Sequence, residues 1–267
     1  MAPIFSVILP TYNRAYVLWR AVESVLAQAE GRWELMVVDD GSTDATPRLM
    51  EEFHDPRIRT VKTDNRGPSA ARNLGWRITG APYVTYLDSD NTWHPEFLLT
   101  MLDAIQTNPT KVLWYCGQHT TMWCREAEGS WRVEQEQDDL RAQYSVDDAL
   151  QLKGADTNCI VHKREVLAEV GGWDEECRWL EDWDFFARCV VLYPEGIHWV
   201  SEVLVEYRQV HGPGADGLCA TTVQNPESNR AGWQYIIEKW RSHPGFAATA
   251  ERLTAKHLRK ATIKTEI

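Results

Sequence analysis

Two aspartates one residue apart, Asp88 and Asp90, directly follow the apolar run at 83–87. Two acids on one turn can hold a hard divalent cation, and Mg²⁺ or Mn²⁺ in turn binds the oxygens of a phosphate. Alternatively, the two aspartates could cap a turn ahead of a helix that begins at Pro95. An isolated Asp-x-Asp sequence more commonly has this structural role. The chemistry that this pair would support is the binding of a phosphorylated ligand through a metal ion.

A second pair of acids, Asp39 and Asp40, follows another apolar run at 33–38. Their carboxylates could accept hydrogen bonds from a nucleobase or a ribose, although an aspartate ahead of a helix also commonly serves as its N-cap. Arg72 stands early in a predicted helix, whose N-terminus favours anions. Its guanidinium could bridge a phosphate and a carboxylate, or it could form a surface ion pair.

A third acidic pair, Glu181 and Asp182, stands at the start of a predicted helix. The helix dipole stabilises a carboxylate at this end as the anion, which suits a general base that must be deprotonated at pH 7. An acidic helix cap without a catalytic role is the alternative. Trp173 and Trp179 flank the approach to Asp182, where their rings could stack on a ligand ring or simply pack in the core.

These side chains need a scaffold, and the first half of the chain alternates apolar runs with amphipathic segments. We predict strands at 5–9, 33–38, 58–63 and 83–87, separated by helices at 15–29, 43–54 and 69–79. Strands separated by single helices predict parallel βαβ units in an open α/β sheet. Ligands bind beyond the carboxyl ends of such strands, and polar residues follow three of these ends, at 11–13, 39–41 and 88–91.

The second half of the chain is less regular after about residue 115. We predict in order a loop with a short helix, a strand, two helices and a strand, at 129–148, 158–162, 163–170, 183–192 and 203–207. The segment 213–226 begins with several glycines and prolines and is predicted to be a mobile loop. The last forty or so residues are predicted to be helical.

The composition disfavours several classes of protein. The chain has 267 residues, 43% of them apolar, so it can bury a sizeable core, and no apolar run approaches the ~18 residues of a membrane span. A net charge of −11 disfavours a nucleic-acid binder, whose surface would be basic. Neither a Walker A loop nor a Gly-x-Gly-x-x-Gly sequence is present, which disfavours P-loop NTPases and dinucleotide dehydrogenases. We expect no secretory signal, and six cysteines without framework spacing predict thiols in a reducing cytoplasm.

The C-terminal segment differs in charge from the rest of this acidic chain. From Arg241 onward it carries six lysines or arginines against two glutamates. Just upstream, one helical face carries Trp233, Ile236, Ile237 and Trp240. Such a segment could lie on an anionic membrane, but packing across the domain with a solvated basic end is the favoured alternative. We therefore expect a cytoplasmic protein, with peripheral contact to the inner membrane as the less favoured interpretation.

Taken together, the motifs are far more specific than any one of them. The segments 8–14 (ILPTYNR), 37–44 (VVDDGSTD), 67–75 (GPSAARNLG) and 86–90 (YLDSD) precede Glu181-Asp182 in one order. In this order they closely resemble the family 2 glycosyltransferases with the GT-A fold, and the resemblance covers roughly residues 4–212. It implies an α/β fold with an open, mostly parallel, Rossmann-like sheet flanked by helices, here with a C-terminal helical extension.

The resemblance also implies a function. It implies inverting transfer of a sugar from a nucleotide-sugar donor, with a UDP-sugar favoured, to an acceptor hydroxyl, with Mn²⁺ or Mg²⁺ as cofactor. Asp182 would be the general base, and Asp90 and His211 would hold the metal, although the spacing of His211 from Arg208 matches only part of the family. The residues expected to bind the acceptor are Trp173, Trp179 and Glu181. Those expected to bind the donor are Pro10, Thr11, Tyr12, Arg14, Asp39, Asp40, Arg72, Asp88, Ser89 and Asp90.

We divide the chain into a donor-binding half at 1–115, an acceptor-binding and catalytic half at 116–224, and a C-terminal helical segment at 225–267. The acceptor could be a sugar, a glycoconjugate, a lipid-linked molecule or a small molecule. Two other functions stay open. A sugar-phosphate nucleotidylyltransferase would need a glycine-rich basic loop after the first strand, where this chain has Pro-Thr-Tyr-Asn at 10–13. A non-catalytic nucleotide-sugar-binding module would not need Asp182.

Overall fold

The structure is a computed structural model that describes residues 1–125, 130–140, 142–211 and 226–258. The loop predicted over 213–226 therefore lies outside the described residues up to residue 225. The basic end of the chain beyond residue 258 lies outside them as well.

The first half of the chain alternates strands and helices as predicted. Its elements are β1 (Phe5–Thr11), α1 (Leu18–Leu26), β2 (Trp33–Asp39), α2 (Thr46–Met50), β3 (Ile58–Lys62), α3 (Pro68–Ile78) and β4 (Tyr83–Tyr86). The four strands are parallel in the order β3-β2-β1-β4, so their carboxyl ends share one edge of the sheet. Helix α3 lies tightly on this sheet, because a Cβ at Gly75 would overlap the side chain of Ile8.

The second half continues the same sheet with mixed strand directions. Its elements are β5 (Thr92–Trp93), α4 (Phe97–Thr107), β6 (Leu113–Arg125), β7 (Trp131–Asp139), α5 (Val146–Leu150), β8 (Ile160–Lys163), α6 (Arg164–Val170), α7 (Glu181–Leu192) and β9 (Ile197–His211). The full order is β3-β2-β1-β4-β8-β6-β9-β5, with β7 also paired to β6. Strand β8 runs antiparallel to both β4 and β6, and β6 runs parallel to β9. The predicted boundary at residue 115 falls inside β6. The two halves of the chain therefore belong to one continuous sheet.

The loop predicted at the start of 129–148 is wrong, because residues 131–139 form strand β7. This strand pairs with β6 in a hairpin, and most of its side chains are exposed. An edge strand with solvent on both faces has no alternation of apolar and polar residues, which is the signal that predicts a strand. The short helix predicted in the same segment is confirmed as α5, which begins with a capping box at Ser145 and Asp148.

The C-terminal segment is helical through residue 258, in α8 (Pro226–Trp240), α9 (Ala247–Leu253) and a π-helical turn at Thr254–Leu258. The apolar face that could have met a membrane is instead packed in the protein, with Ile236, Ile237 and Trp240 buried. Trp240 contacts Trp183 of α7 and Phe246. The packed interpretation of this face is therefore the one that the structure supports.

Two hydrophobic layers hold the sheet in place. One lies under α1 and α4, and the other lies under α3, α6, α7 and the C-terminal helices. Cys116, Cys159, Cys177 and Cys189 are buried within these layers. None of the helices that the structure describes is both long enough and apolar enough to cross a bilayer.

Candidate active site

One cleft of about 600 Å³ opens at the edge of the sheet where β1, β2 and β4 end. Predicted residues that line it are Pro10, Thr11, Tyr12, Arg14, Asp40, Arg72, Asp88, Ser89, Asp90, Trp179, Glu181 and Asp182. Asp39 and Trp173 lie behind its wall, and the side chain of His211, the last residue of β9, lies outside the described part of the structure. The convergence of three strand ends therefore forms a single site, together with the start of α7.

The loop after β1 is fixed in shape by its neighbour after β2. Asn13 adopts a left-handed backbone conformation with a φ of 54°, and its amide side chain accepts a hydrogen bond from the backbone N–H of Thr43 at 2.8 Å. Its own N–H donates to Ser42 Oγ at 2.9 Å. These bonds hold Tyr12 at the cleft, with 45% of its surface exposed. An exposed ring on a fixed loop is suited to stack on a flat ligand group.

The two acids after β2 have different surroundings. Asp39 is buried, and its Oδ1 accepts the N–H of Ser42 at 2.7 Å. Asp40 lines the cleft, but its carboxylate also accepts the N–H groups of Arg66 at 3.0 Å and Gly67 at 2.7 Å. Gly67 is the N-cap residue of α3. Asp40 therefore fixes the loop that leads into α3, which is a long-range form of the capping role considered from the sequence.

Arg72 lies at the floor of the cleft and joins two of the predicted acids. Its guanidinium donates to Asp88 Oδ1 at 2.8 Å and to Glu181 Oε1 at 3.3 Å, and only 3% of its side chain is exposed. Burial works against the charge of Arg72, yet the two carboxylates raise its pKa above the ordinary arginine value. The arginine is therefore permanently charged and is a buried ion-pair residue, not the surface ion pair considered from the sequence.

The other side of Asp88 is held by Asn158, a fully buried residue in the turn before β8. The Asn158 amide accepts the N–H of Asp88 at 2.6 Å and donates to Asp88 Oδ2 at 3.1 Å. The same amide nitrogen donates to Asp156 Oδ1 at 2.6 Å. Both oxygens of Asp88 thus have protein partners, and the carboxylate is fixed in place.

Trp173 supports Arg72 from below. The arginine guanidinium lies 4.6 Å from the centre of the indole ring, which is a favourable cation–π distance. Trp173 is 2% exposed and stacks on Phe185 at 4.4 Å, so its ring packs in the core. Of the two roles considered from the sequence, packing is the one that this placement matches.

Asp90 extends into the cleft from the same turn as Asp88, with 32% of its side chain exposed. Enclosure by the walls of the cleft and then repulsion from Asp88 raise the pKa of Asp90 to about 6. Arg14 opposes this shift, with its guanidinium 4.0 Å from Asp90 Oδ2. The carboxylate is therefore short of compensating positive charge.

Asp182 occupies the first turn of α7 and lines the same cleft as Asp90. Burial raises its pKa to about 7, and repulsion from Glu181 and Asp156 adds to the effect. Desolvation and like charges act against the stabilisation of the anion that a helix N-terminus provides. The residue before this pair, Leu180, has a left-handed backbone with a φ of 56°, which turns the chain into the helix.

Several cleft residues were not predicted from the sequence. Asp156 and Thr157 line the floor beside Asp90, and Arg178 and Arg208 stand on the walls. Arg208 donates its backbone N–H to Asn91 Oδ1 at 2.9 Å, and its guanidinium lies 4.5 Å from the Trp123 ring. The turn before β8 could have been found by recognising that β8 runs antiparallel to β4, which puts its start beside the end of β4.

Comparison with known proteins identifies the family. The chain matches the family described as "Glycosyl transferase family 2" over residues 6–171. The chain belongs to this family. The resemblance inferred from the motifs is therefore confirmed, and the match covers every motif except the Glu181-Asp182 pair.

Curated relatives of this family 2 chain differ in length. The succinoglycan biosynthesis protein ExoO of Rhizobium meliloti is 42% identical over 102 residues, which is 38% of this chain and 29% of the relative. WcaA of Escherichia coli K12, assigned as a colanic acid biosynthesis glycosyl transferase, is 29% identical over 208 residues, or 72% of this chain and 68% of the relative. The chain thus spans less than a third of the length of ExoO.

Solved structures confirm the predicted GT-A fold for this family 2 chain. A structure of Staphylococcus aureus TarS (residues 1–349) in complex with UDP-GlcNAc superposes with a TM-score of 0.65 at 20% identity, covering 97% of this chain and 72% of that one. The mannosyltransferase PcManGT of Pyrobaculum calidifontis, in complex with GDP-Man and Mn²⁺, gives 0.62 at 19% identity, covering 100% and 77%.

Proposed function

We propose that this chain is a metal-dependent, inverting glycosyltransferase that moves a sugar from a nucleoside-diphosphate sugar, preferably a UDP-sugar, to an acceptor hydroxyl. The observation that carries the proposal is Asp182, a carboxyl with a pKa of about 7 that shares one cleft with Asp90 and with the loop of Tyr12. A general base works best when its pKa lies near the working pH. Family membership supports the same reaction.

The acidic side chains that line the cleft suit a divalent cation as a ligand. Asp90, Asp156 and Asp182 all line the cleft, and the pKa values of Asp90 and Asp182 are raised first by burial and then by repulsion from other acids. Asp88 is already held by Arg72 and Asn158, so Asp90 is the carboxylate we propose to hold Mn²⁺ or Mg²⁺, with His211 as a second ligand. Such an ion, when bound, would supply positive charge against the diphosphate of the leaving nucleotide.

The described residues themselves contain no group of three metal-ligating side chains. The ligand set that we propose is accordingly completed by the diphosphate oxygens and by His211. One or two carboxylates plus substrate phosphates are the usual ligands of Mg²⁺ in enzymes.

Donor binding is proposed for the loops that end β1 and β2. Tyr12 would stack on the nucleobase, and Asp40 would accept hydrogen bonds from the base or ribose while it also holds Gly67. Pro10, Thr11, Arg14 and Ser89 complete this part of the wall. Arg14, beside Asp90, is placed to stabilise the diphosphate as charge develops on it.

Asp182 would take the proton from the acceptor hydroxyl as the oxygen attacks the anomeric carbon. A single displacement of this kind inverts the configuration and needs no covalent nucleophile, so the protein contributes positioning and electrostatics. Glu181 would act mainly by holding Arg72, and Trp179 would contact the acceptor. The acceptor class stays open among sugars, glycoconjugates, lipid-linked molecules and small molecules. We also propose a cytoplasmic location for the enzyme.

The test is transfer or hydrolysis of UDP-, GDP-, dTDP- and CDP-sugars with and without Mn²⁺, preceded by a thermal-shift screen of the four nucleoside diphosphates. At a hundredfold excess over Kd, the right nucleotide should stabilise the protein by about 2.7 kcal/mol. Turnover that needs Mn²⁺ and is lost in Asp182→Asn supports the proposal. Nucleotide binding without any turnover would instead favour the non-catalytic binding module, and formation of a nucleotide-sugar from a sugar phosphate would favour the nucleotidylyltransferase.

A further inference from the structure

Asp182 lies in a segment, residues 174–184, that contains a strained backbone position. Leu180 has a φ of 56°, and a left-handed backbone costs a residue other than glycine about 1–2 kcal/mol. Such strain persists only where the surroundings hold the chain in place. The position of Asp182 in the cleft therefore depends on the contacts that hold residues 174–184.

Helix α8 holds both ends of the segment through one lysine. Lys239 Nζ lies 2.5 Å from Asp174 Oδ2 and 2.8 Å from Asp184 Oδ1. Two further donors of α8 join it, because Tyr235 Oη donates to Asp174 Oδ2 at 2.7 Å and Trp240 Nε1 donates to Asp184 Oδ1 at 2.9 Å. One helix thus binds the carboxylates on either side of Asp182.

These contacts are costly to lose. Asp184 is fully buried, and a buried carboxylate needs paired donors to remain charged. Burial alone would raise the pKa of Asp174, but hydrogen bonds from Lys239 and Tyr235 lower it to about 2. Asp174 therefore stays ionised at neutral pH, and the carboxylates of Asp174 and Asp184 are both bound to α8.

A third contact reaches the cleft wall itself. Gly232 of α8 lies against Trp179, and any Cβ at this position would overlap the tryptophan side chain. Trp233 adds an edge-to-face ring contact with Trp179, with the ring centres 6.3 Å apart. Since positions 232, 235 and 239 recur at helical spacing, one face of α8 meets the whole segment.

We propose that α8 is a positioning element of the active site, in which Lys239 fixes residues 174–184 so that Asp182 faces the acceptor. This proposal rests on the assignment of Asp182 as general base. Lys239 itself is a positioning residue, because its ammonium group contacts Asp174 and Asp184, neither of which lines the cleft.

The kinetic test compares Lys239→Met with Lys239→Arg, which keeps the charge, and with Lys256→Met, which removes an exposed lysine of the same C-terminal region. All are assayed well below their melting temperatures. We expect Lys239→Met to lower kcat by about ten- to a hundredfold, because small displacements of a catalytic group have effects of this size. The KM for the donor and the Kd for UDP should stay within about twofold, and Lys239→Arg should recover most of kcat. A folded Lys239→Met enzyme with wild-type kcat would overturn the proposal.

A second measurement is independent of catalysis. Amide hydrogen exchange of residues 178–183 should be about tenfold faster in Lys239→Met than in the wild type or in Lys256→Met, because local opening is easier without the lysine. If Lys239→Met does not fold, Tyr235→Phe removes one donor to Asp174 and should give a smaller change in the same amides. Unchanged exchange in the folded variants contradicts the positioning role. Faster exchange together with an active Asp182→Asn enzyme would support α8 as the element that fixes residues 174–184 but reject Asp182 as the base.

Discussion

Arg72 donates to Asp88 at 2.8 Å, so the first acid of the Asp-x-Asp sequence is held in an ion pair within the protein. The guanidinium of Arg14 lies 4.0 Å from the second acid, Asp90, whose pKa nevertheless stays raised. The two aspartates therefore have separate roles, although they stand one residue apart. Asp88 fixes the turn, and Asp90 presents its charge to the cleft.

We expect Arg72→Met to destabilise the protein by about 3 kcal/mol, since removing one partner of a buried ion pair costs about 3–5 kcal/mol and Asp88 stays partly solvated. Urea denaturation measures the change. The matched control is Arg66→Met, which breaks the exposed ion pair to Glu175 and should cost less than about 1 kcal/mol. Equal losses in the two variants would contradict a structural role for the buried pair.

The kcat/KM of the enzyme should fall on the acid side of neutrality. Asp182 has a pKa of about 7 because of burial and of repulsion from Glu181 and Asp156. Below this pH the base is protonated, so kcat/KM should drop about tenfold for each pH unit. Glu181→Gln removes one repelling charge and should therefore shift the acid-side fall of kcat/KM to lower pH. A profile that is flat between pH 5 and 8, within about twofold, would exclude Asp182 as the base.

Asp182→Asn should make the protein more stable at pH 8 while it abolishes transfer. A carboxyl whose pKa is raised by folding binds more protons in the folded state, so it lowers stability as the pH rises from about 4 to about 7. The melting temperature of the variant should therefore exceed that of the wild type at pH 8 but not at pH 4, by about 2–4 °C for each kcal/mol. Asp103→Asn, an exposed aspartate on α4, should show no such pH dependence.

The same Asp182→Asn variant should lose about 10²- to 10⁴-fold in turnover, the usual contribution of a general base. Its affinity for UDP with Mn²⁺ should be nearly unchanged, as measured by calorimetry. A variant that keeps more than about a tenth of the wild-type turnover would require another base.

Asp90→Asn should weaken UDP binding by more than about tenfold, or about 1.4 kcal/mol, when Mn²⁺ is present. In EDTA the variant and the wild type should bind UDP equally weakly, because the difference arises from the metal. Titration of UDP with Mn²⁺ and in EDTA measures the two affinities, with Asp103→Asn as the control. If Mn²⁺ strengthens UDP binding to Asp90→Asn as much as to the wild type, Asp90 is not a ligand.

The convergence of the loops after β1, β2 and β4 on one cleft could be predicted because these loops follow buried strands. The apolar runs before Asp39 and Asp88 are strong strand signals, and parallel strands bring their ends together. The cleft residues ahead of β8 could not be predicted in the same way. Asp156 and Thr157 reach the cleft because β8 runs antiparallel to β4, and strand direction is set by long-range pairing that local periodicity does not report.

The contacts of α8 could not be predicted from the sequence for a related reason. Its apolar face was visible in the sequence, but an amphipathic helix can pack on a membrane or on a protein with the same residue pattern. Lys239 and Asp174 are far apart in the chain, and nothing in either segment indicates that they meet at 2.5 Å. Contacts of this kind emerge only from the packed structure.

The reversal of strand direction between β4 and β8 also affects how the site can change in evolution. Because the start of β8 lies beside the end of β4, extra residues inserted ahead of Asp156 would extend over the mouth of the cleft. Extra residues inserted after β8 would emerge at the opposite edge of the sheet. Lengthening this one connection would therefore remodel the mouth of the cleft while β1, β2 and β4 keep their positions.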